Sequence, residues 1–459
     1  MDTKSGRKPA RALFTPLLLA LLFAGCATTQ VAGPASQPSV HSAFAEAGAL
    51  ARNDAALGGT AKADNARAIE RLLAGIDDAS LAREAAKLPA GDPLYDFAGR
   101  ALLNRGLPLP RPFDSAARWR FDNRPPAERD GYRPPVKLAV LLPLSGSLAT
   151  AAAPVREGLL AGYYGESRQR PEIAFYDTTA GAVDAYRQAV AGGADFVVGP
   201  LGREEVGKLF SQPDLPVPVL ALNRGAVAPP AGNAGFSLAP EDDGLIAAEY
   251  LLGLERRNVL VIAGNDDNGI RASEAFRDRF RQRGGTVAET LSVGEDPGDL
   301  ATALSAAAQK NVDGIFLAVR GGTARLLAPQ LALAGLGGKT RVGTSQLASG
   351  TGKADEDAAL DGIVFPTEVW TSRGVPGLPV ASVVGMDNPA ARGPAARLFA
   401  FGYDAWQLVA YLEKLVLAPN SEIRGATGTL KLDGFGNVLR TPAWSVFSGG
   451  QPVPVRDGG

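Results

Sequence analysis

The two side chains most often recruited for nucleophilic and metal chemistry occur once each in 459 residues, as Cys26 and His41. A Ser-His-Asp triad needs a histidine beside its nucleophile, and His41 lies far in sequence from the strand-rich part of the chain. A zinc site needs several His or Cys ligands, and an intrachain disulfide needs two cysteines. Asp266-Asp267-Asn268 lacks the spacing of a calcium loop, and consecutive side chains rarely converge on one ion, so it reads as a polar rim loop. Asp355-Glu356-Asp357 reads as a solvated loop. Gly321-Gly322 follows an apolar run, but GGTARLL lacks the further glycines and the placed lysine of a phosphate loop. These patterns argue for a protein that is not an enzyme and takes no cofactor or metal. The net charge of -1 gives no electrostatic case for nucleic acid.

What remains is polar and glycine residues at the ends of apolar runs, the positions where open parallel sheets gather ligands. Eight residues qualify: Ser145, Gly146, Asp177, Thr178, Gly199, Pro200, Asn223 and Arg224. Ser145 and Gly146 could offer a hydroxyl and an N–H to an anion at a helix N-terminus; the commoner use of PLSG is to turn the chain and cap the helix. Asp177 could hold an amine or cap the next helix, and the cap is favoured. Gly199-Pro200 could bring backbone close to a ligand or serve as a strand-to-helix turn, and the turn is favoured. Arg224 could clamp a carboxylate bidentately or pair across two lobes.

These positions need a scaffold. From residue 136, apolar strands alternate with helices: KLAVLLP, EIAFYDT, DFVVGP and VPVLALN form one series, and NVLVIAG, TVAETLS, DGIFLAV and TRVGTS a second. Near-continuous apolar strands between helices imply parallel sheets covered on both faces, and two series imply two lobes. The first helix is expected over 154–166, with Pro154 near its start and Val155, Leu159 and Tyr163 facing the sheet. A helix at 242–254, opened by Asp242-Asp243, is the expected crossing between lobes. Residues 371–395 are Pro/Gly-rich, 402–417 form an amphipathic helix, and IRGATGTLKLDGFGNVLRTPAWSVF reads as short strands around a turn at 434–437.

Upstream, residues 41–106 predict about four short helices stacked as hairpins. Residues 107–135 hold seven prolines, including RPP at 124–126 and 133–135, and predict a Pro-rich linker or strap. The first 26 residues carry Lys4, Arg7, Lys8 and Arg11, then an apolar run over 12–23 too short for a comfortable membrane span, then Ala24-Gly25-Cys26. This resembles the signal peptide and lipobox of bacterial lipoproteins, with Phe23 where leucine is usual. The resemblance implies cleavage and acylation at Cys26. Ala27 and Thr28 follow in place of the aspartate of inner-membrane retention, which implies the outer membrane. Residues 27–40 read as a flexible tether reaching roughly 45–50 Å at most.

Four stretches carry a wider likeness: LLPLSGSLA, GGADFVVGPLG, GYDAWQLVAYL and GATGTLKLDGFGNV. In this order they resemble the type I periplasmic binding proteins. YDTTAGAVDAYRQAVAGGADFVVGPLGREEV and PVPVLALNR are similar within that fold to the LpoA-type lipoproteins. That likeness implies an α/β, two-lobed fold preceded by a short all-α segment, with lobe 1 at about 136–241 and 366–423 and lobe 2 at about 242–365 and 424–459. It further implies a periplasm-facing, outer-membrane lipoprotein that binds and activates a class A penicillin-binding protein, a peptidoglycan synthase. The alternative is a solute-binding protein for an amino acid or a cell-wall-derived small ligand.

Overall fold

The computed structural model describes residues 40–349 and 352–455. Its first four helices are α1 (Val40–Asn53), α2 (Gly59–Ala74), α3 (Asp78–Lys87) and α4 (Leu94–Asn104). Their apolar stripes close on one another through Ala47, Ile69, Leu73, Leu81, Tyr95 and Leu102, all essentially solvent-free. Asp77 caps α3 by accepting from Ser80 N at 2.9 Å, and Lys87 sits in its last turn, each end complementing the helix dipole.

The stretch 107–135 is a strap packed on the rest of the chain, so the linker alternative is set aside. Outside a 3-10 turn at Asp114–Arg118, proline keeps it extended, and Arg133 satisfies its backbone by donating to Phe121 O and Arg124 O at 3.0 and 3.1 Å. Arg133 grips both Glu413 carboxylate oxygens at 2.7 Å, and Arg124 donates to Val409 O at 3.2 Å. Tyr132 Oη donates to Gln169 O at 2.8 Å.

Lobe 1 follows: β1 (Lys137–Leu142), α5 (Ala149–Gly165), β2 (Glu172–Asp177), α6 (Ala182–Ala191), β3 (Phe196–Val198), α7 (Arg203–Phe210), β4 (Val219–Ala221) and β5 (Ala234–Gly235). The five strands are parallel in the order β2-β1-β3-β4-β5. Helix α5 starts five residues earlier than expected, which places Pro154 inside it. Val155 and Leu159 are fully buried against the sheet, with Tyr163 partly buried beside them.

Helix α8 (Pro240–Gly253) leads into lobe 2. There β6 (Asn258–Gly264), α9 (Asp267–Gln282), β7 (Thr286–Val293), α10 (Ala301–Ala308), β8 (Gly314–Ala318), α11 (Gly321–Leu333), β9 (Thr340–Gly343), α12 (Ala354–Asp357) and β10 (Ile363–Thr367) continue the alternation. The acidic run 355–357, expected as a solvated loop, is the turn α12. Asp357 is buried there and accepts from Gly352 N at 2.7 Å. Asp266 is the N-cap of α9, accepting from Gly269 N at 2.8 Å.

The chain then returns to lobe 1 through α13 (Val369–Ser372), α14 (Ala381–Asp387) and α15 (Ala395–Leu417), so the Pro/Gly-rich stretch takes in the end of α13 and all of α14. Helix α15 is buried on nearly every side. It crosses α5 at unusually close range. A Cβ on Gly158 would stand 1.8 Å from Phe399 O, and one on Gly402 would stand 1.9 Å from Val155 O. Only glycine at both positions permits that approach.

A ribbon of β11 (Ile423–Arg424), β12 (Thr429–Leu432) and β13 (Val438–Thr441) comes next, then β14 (Ala443–Ser448) and β15 (Gln451–Pro454). The assignment of 424–459 to lobe 2 needs correction. Ile423, Leu430, Leu432 and Val438 are buried in the lobe 1 core, and the ribbon tip meets β5 through Gly235 N donating to Gly436 O at 2.8 Å. Only β14 and β15 join lobe 2, antiparallel at one edge of the order β15-β14-β10-β9-β8-β6-β7. Strand β10 also lies in lobe 2, so 366–367 belong there. The chain thus crosses between lobes three times.

Candidate functional site

The eight sequence-derived residues all fall at the carboxyl ends of lobe 1 strands, where each is engaged by the chain itself. Asp177 Oδ1 accepts from Leu144 N at 3.0 Å and Thr179 N at 2.9 Å. Those bonds hold its carboxyl below the usual range, Leu144's first and Thr179's next. Thr179 Oγ1 in turn accepts from Ser145 N at 3.3 Å. Ser145 and Gly146 stand in solvent in an exposed turn flanked by Leu144 and Leu148. Thr178 is buried and donates its N–H to Leu142 O at 3.1 Å.

Gly199 has φ +99°, and a Cβ there would sit 2.1 Å from Leu141 O, so this glycine serves the approach of β3 to β1. The Gly199–Pro200 peptide is cis, and Pro200 O accepts from Leu222 N at 3.0 Å. Asn223 Nδ2 donates to Leu201 O at 2.9 Å. Arg224 Nη2 donates to Asp242 Oδ1 at 2.8 Å, which ties lobe 1 to the first turn of α8.

The crevice itself is lined by a different set. Leu238, Asp243, Asp266, Asn268, Arg320, Thr344, Ser345 and Arg397 bound a cavity of about 40 Å³. Small-molecule sites usually enclose roughly 300–1,000 Å³, so this one has room for water and not for an amino acid. The space is taken up by a polar seam. Buried Asp243 accepts from Ser345 N at 2.9 Å and from Ser345 Oγ, and Arg397 donates to the same hydroxyl. Arg440 Nη2 lies 3.5 Å from Asp243 Oδ1, and Arg397 Nε 3.2 Å from Glu368 Oε1. The seam thus joins α8, the turn after β9, the start of α13, α15 and β13.

Asp404 extends the seam. Fully buried in α15, it accepts from Ala426 N, at 2.5 Å, and from Thr427 N and Oγ1, at 2.7 and 2.6 Å. Burial pushes its carboxyl up to about 7 in spite of those donors. Arg440 donates to Thr427 O at 3.4 Å, linking the two halves.

Sequence reasoning missed the seam because its members are single charges separated by up to about two hundred residues. One signal was present: Asp404 interrupts FGYDAWQLV, an otherwise apolar helical run, and an isolated acid in such a run is buried with partners. Among the described residues no group of three or more His, Cys, Asp or Glu could hold a metal, and no helix is long and apolar enough to cross a membrane. Cys26 and most of the tether lie outside the described residues.

Comparison with known proteins places this geometry. The family model described as "LppC putative lipoprotein" matches residues 132–450. A curated relative from Mannheimia succiniciproducens, penicillin-binding protein activator LpoA, is 28% identical over 330 residues, covering 70% of this chain and 55% of its own. The chain spans about half the length of the curated relatives it matches. Full-length LpoA from Haemophilus influenzae superposes with a TM-score of 0.62 at 20% identity, over 90% of this chain and 78% of that one. A Chromobacterium violaceum protein, proposed to be a branched-chain amino acid ABC transporter, has a TM-score of 0.55 at 31% identity, over 68% of this chain and all of that one.

Proposed function

Because the chain belongs to the LppC lipoprotein family and is of the LpoA type, we propose that it is an outer-membrane lipoprotein, anchored through Cys26, that binds and activates a class A penicillin-binding protein. Its fold is the two-lobed type I periplasmic-binding-protein fold with a helical segment in front. The observation that carries the regulatory reading is the seam. Asp243, Ser345 and Arg397 line the crevice that a solute would need, Glu368 and Arg440 pair with them, and the cavity left is about 40 Å³. With so little room in the crevice, this reading assigns the synthase contact to the outer surface.

The test is capture of purified class A synthases by the acylated protein, with glycan polymerisation and peptide crosslinking measured in parallel. The expected result is binding with a rise in one or both activities. Absence of binding and of stimulation with every cognate synthase would sink the proposal.

A solute-binding reading draws support from the 31% identity to the Chromobacterium violaceum structure and from the polar lining of the crevice. It requires the seam to open and the lobes to move apart. Ligand would then raise the melting temperature by mass action.

A further inference from the structure

The helical segment α1–α4 touches both lobes, in two different ways. Its contact with lobe 1 is broad. Phe97 meets Phe435 of the ribbon edge-on, with ring centroids 4.7 Å apart. The Arg100 guanidinium lies over the same ring at 4.2 Å and reaches Asp433 at 3.9 Å. Leu109, at the start of the strap, exchanges hydrogen bonds with Asn420 just past α15: its N–H donates to Asn420 Oδ1 at 2.6 Å, and its O accepts from Asn420 Nδ2 at 3.3 Å. This side combines aromatic burial with paired polar groups.

Its contact with lobe 2 is narrow and polar. Helix α2 ends at Ala74, where the last carbonyls carry the negative end of the helix dipole. Arg105, from the same segment, donates to Leu73 O, Ala74 O and Ile76 O at 2.8–3.3 Å. Arg283, just past α9 in lobe 2, donates to the same Ala74 O at 3.3 Å. Glu249 of α8 stands 3.7 Å from Arg283 and 3.5 Å from Arg279. Glu70 of α2 pairs with Arg100 of α4, inside the segment, at 2.5 Å.

We infer that the helical segment is an interlobe brace: fixed to lobe 1 through Phe97, Arg100 and Leu109, it latches lobe 2 through Arg283 at the C-terminus of α2. Three chain crossings form a hinge, and the other interlobe pairs, Arg224–Asp242 and the seam through Asp243, Glu368 and Arg440, sit beside those crossings in sequence, so the lobes can still turn about that region. A second attachment away from the hinge removes that freedom. The latch uses partly exposed polar contacts, so it can release without disturbing either core. The inference stands apart from the partner-binding reading, and its test contains no synthase.

The test uses the full chain with Cys26→Ser and spin labels at Gln188→Cys in α6 and Ser305→Cys in α10, both exposed. Pulsed electron–electron distance measurement should give one narrow distribution. Adding Arg283→Ala and Glu249→Ala, which remove the latch cation and the carboxylate that holds it, should widen it at least twofold or add a second distance, while Arg283→Lys, which keeps a donor, should leave it narrow. A second pair, Arg83→Cys with Gln188→Cys, reports the segment against lobe 1 and should stay narrow in every variant. The brace is overturned if the starting chain is already broad, if the double variant leaves the interlobe distribution unchanged, or if the segment–lobe 1 pair broadens with it. Should the double variant fold poorly, each single alanine variant is read in the same way, with the same outcomes.

Discussion

At the scale of the residue, the buried carboxylate of Asp404 carries more structural weight than any of the rim residues. Its two oxygens take three donors from the 426–427 turn, in a place no water reaches. Asp404→Ala leaves those donors unpaired in the interior and should cost about 3–5 kcal/mol, read as a lower urea midpoint with an unchanged slope. Ser145, exposed and hydrogen-bonded among the described residues only to Thr179, sits at the opposite extreme, and its truncation should change the unfolding free energy by no more than about 0.5 kcal/mol. Cys26 is the one residue whose proposed role is covalent. With Cys26→Ser the protein should appear in the soluble periplasmic fraction, whereas the unaltered chain should sediment with membranes and carry acyl mass on its N-terminal peptide. Retention of the variant in membranes would remove the anchor from the proposal.

At the scale of the element, two junctions invite measurement. The α5–α15 crossing depends on Gly158 and Gly402, each against a backbone carbonyl on the other helix. A carbonyl cannot swing aside as a side chain does, so Gly158→Ala should force the helices apart and cost more than about 2 kcal/mol. Denaturant unfolding would detect it; a loss below 0.5 kcal/mol would contradict the close crossing. The second junction is the seat of α4 on the ribbon tip, where Asp96 faces Asp433, Asp114, Arg100 and Arg118. Burial, with the Asp433 charge second, pushes Asp96 up to about 6 from an ordinary 3.8. A raised acid binds its proton more tightly in the folded state. Its contribution is therefore present in full below about pH 4 and is lost as pH rises through 6. Asp96→Asn should then raise the melting temperature at pH 7.5, by up to about 3 kcal/mol in free-energy terms, and flatten the change between pH 4 and 6. An unchanged pH profile would show that Asp96 is not the group responsible.

At the scale of the whole molecule, the two lobes are joined by three crossings, by the Arg224–Asp242 pair, by the polar seam and, on the inference above, by the helical brace at Arg283. A filled crevice predicts that amino acids and muropeptide fragments at 1 mM shift the melting temperature by less than about 1 °C, since stabilisation by a ligand scales as RT ln(1 + [L]/Kd). A shift of several degrees with one compound would favour the solute-binding reading. Arg397→Ala removes the side chain that enters the seam from α15, so any latent cavity should become measurable in that variant first.

Most of the scaffold was legible because its signals are local. Strands such as NVLVIAG and DGIFLAV are apolar end to end, so they declare a sheet buried on both faces without reference to anything distant. The scarcity of His and Cys, the basic-then-apolar N-terminus and the position of Cys26 are likewise read one stretch at a time. The sequence by itself determined the α/β class, the two lobes and the short helices before them. Only the tertiary structure decided what fills the crevice, where the ribbon at 423–441 belongs, and that the strap at 107–135 is packed. Each of these depends on pairings such as Asp243 with Arg440, Arg133 with Glu413, or Arg283 with Ala74. Such pairings leave no periodic trace along the chain, because an isolated charge reads the same whether its partner is water or a residue two hundred positions away.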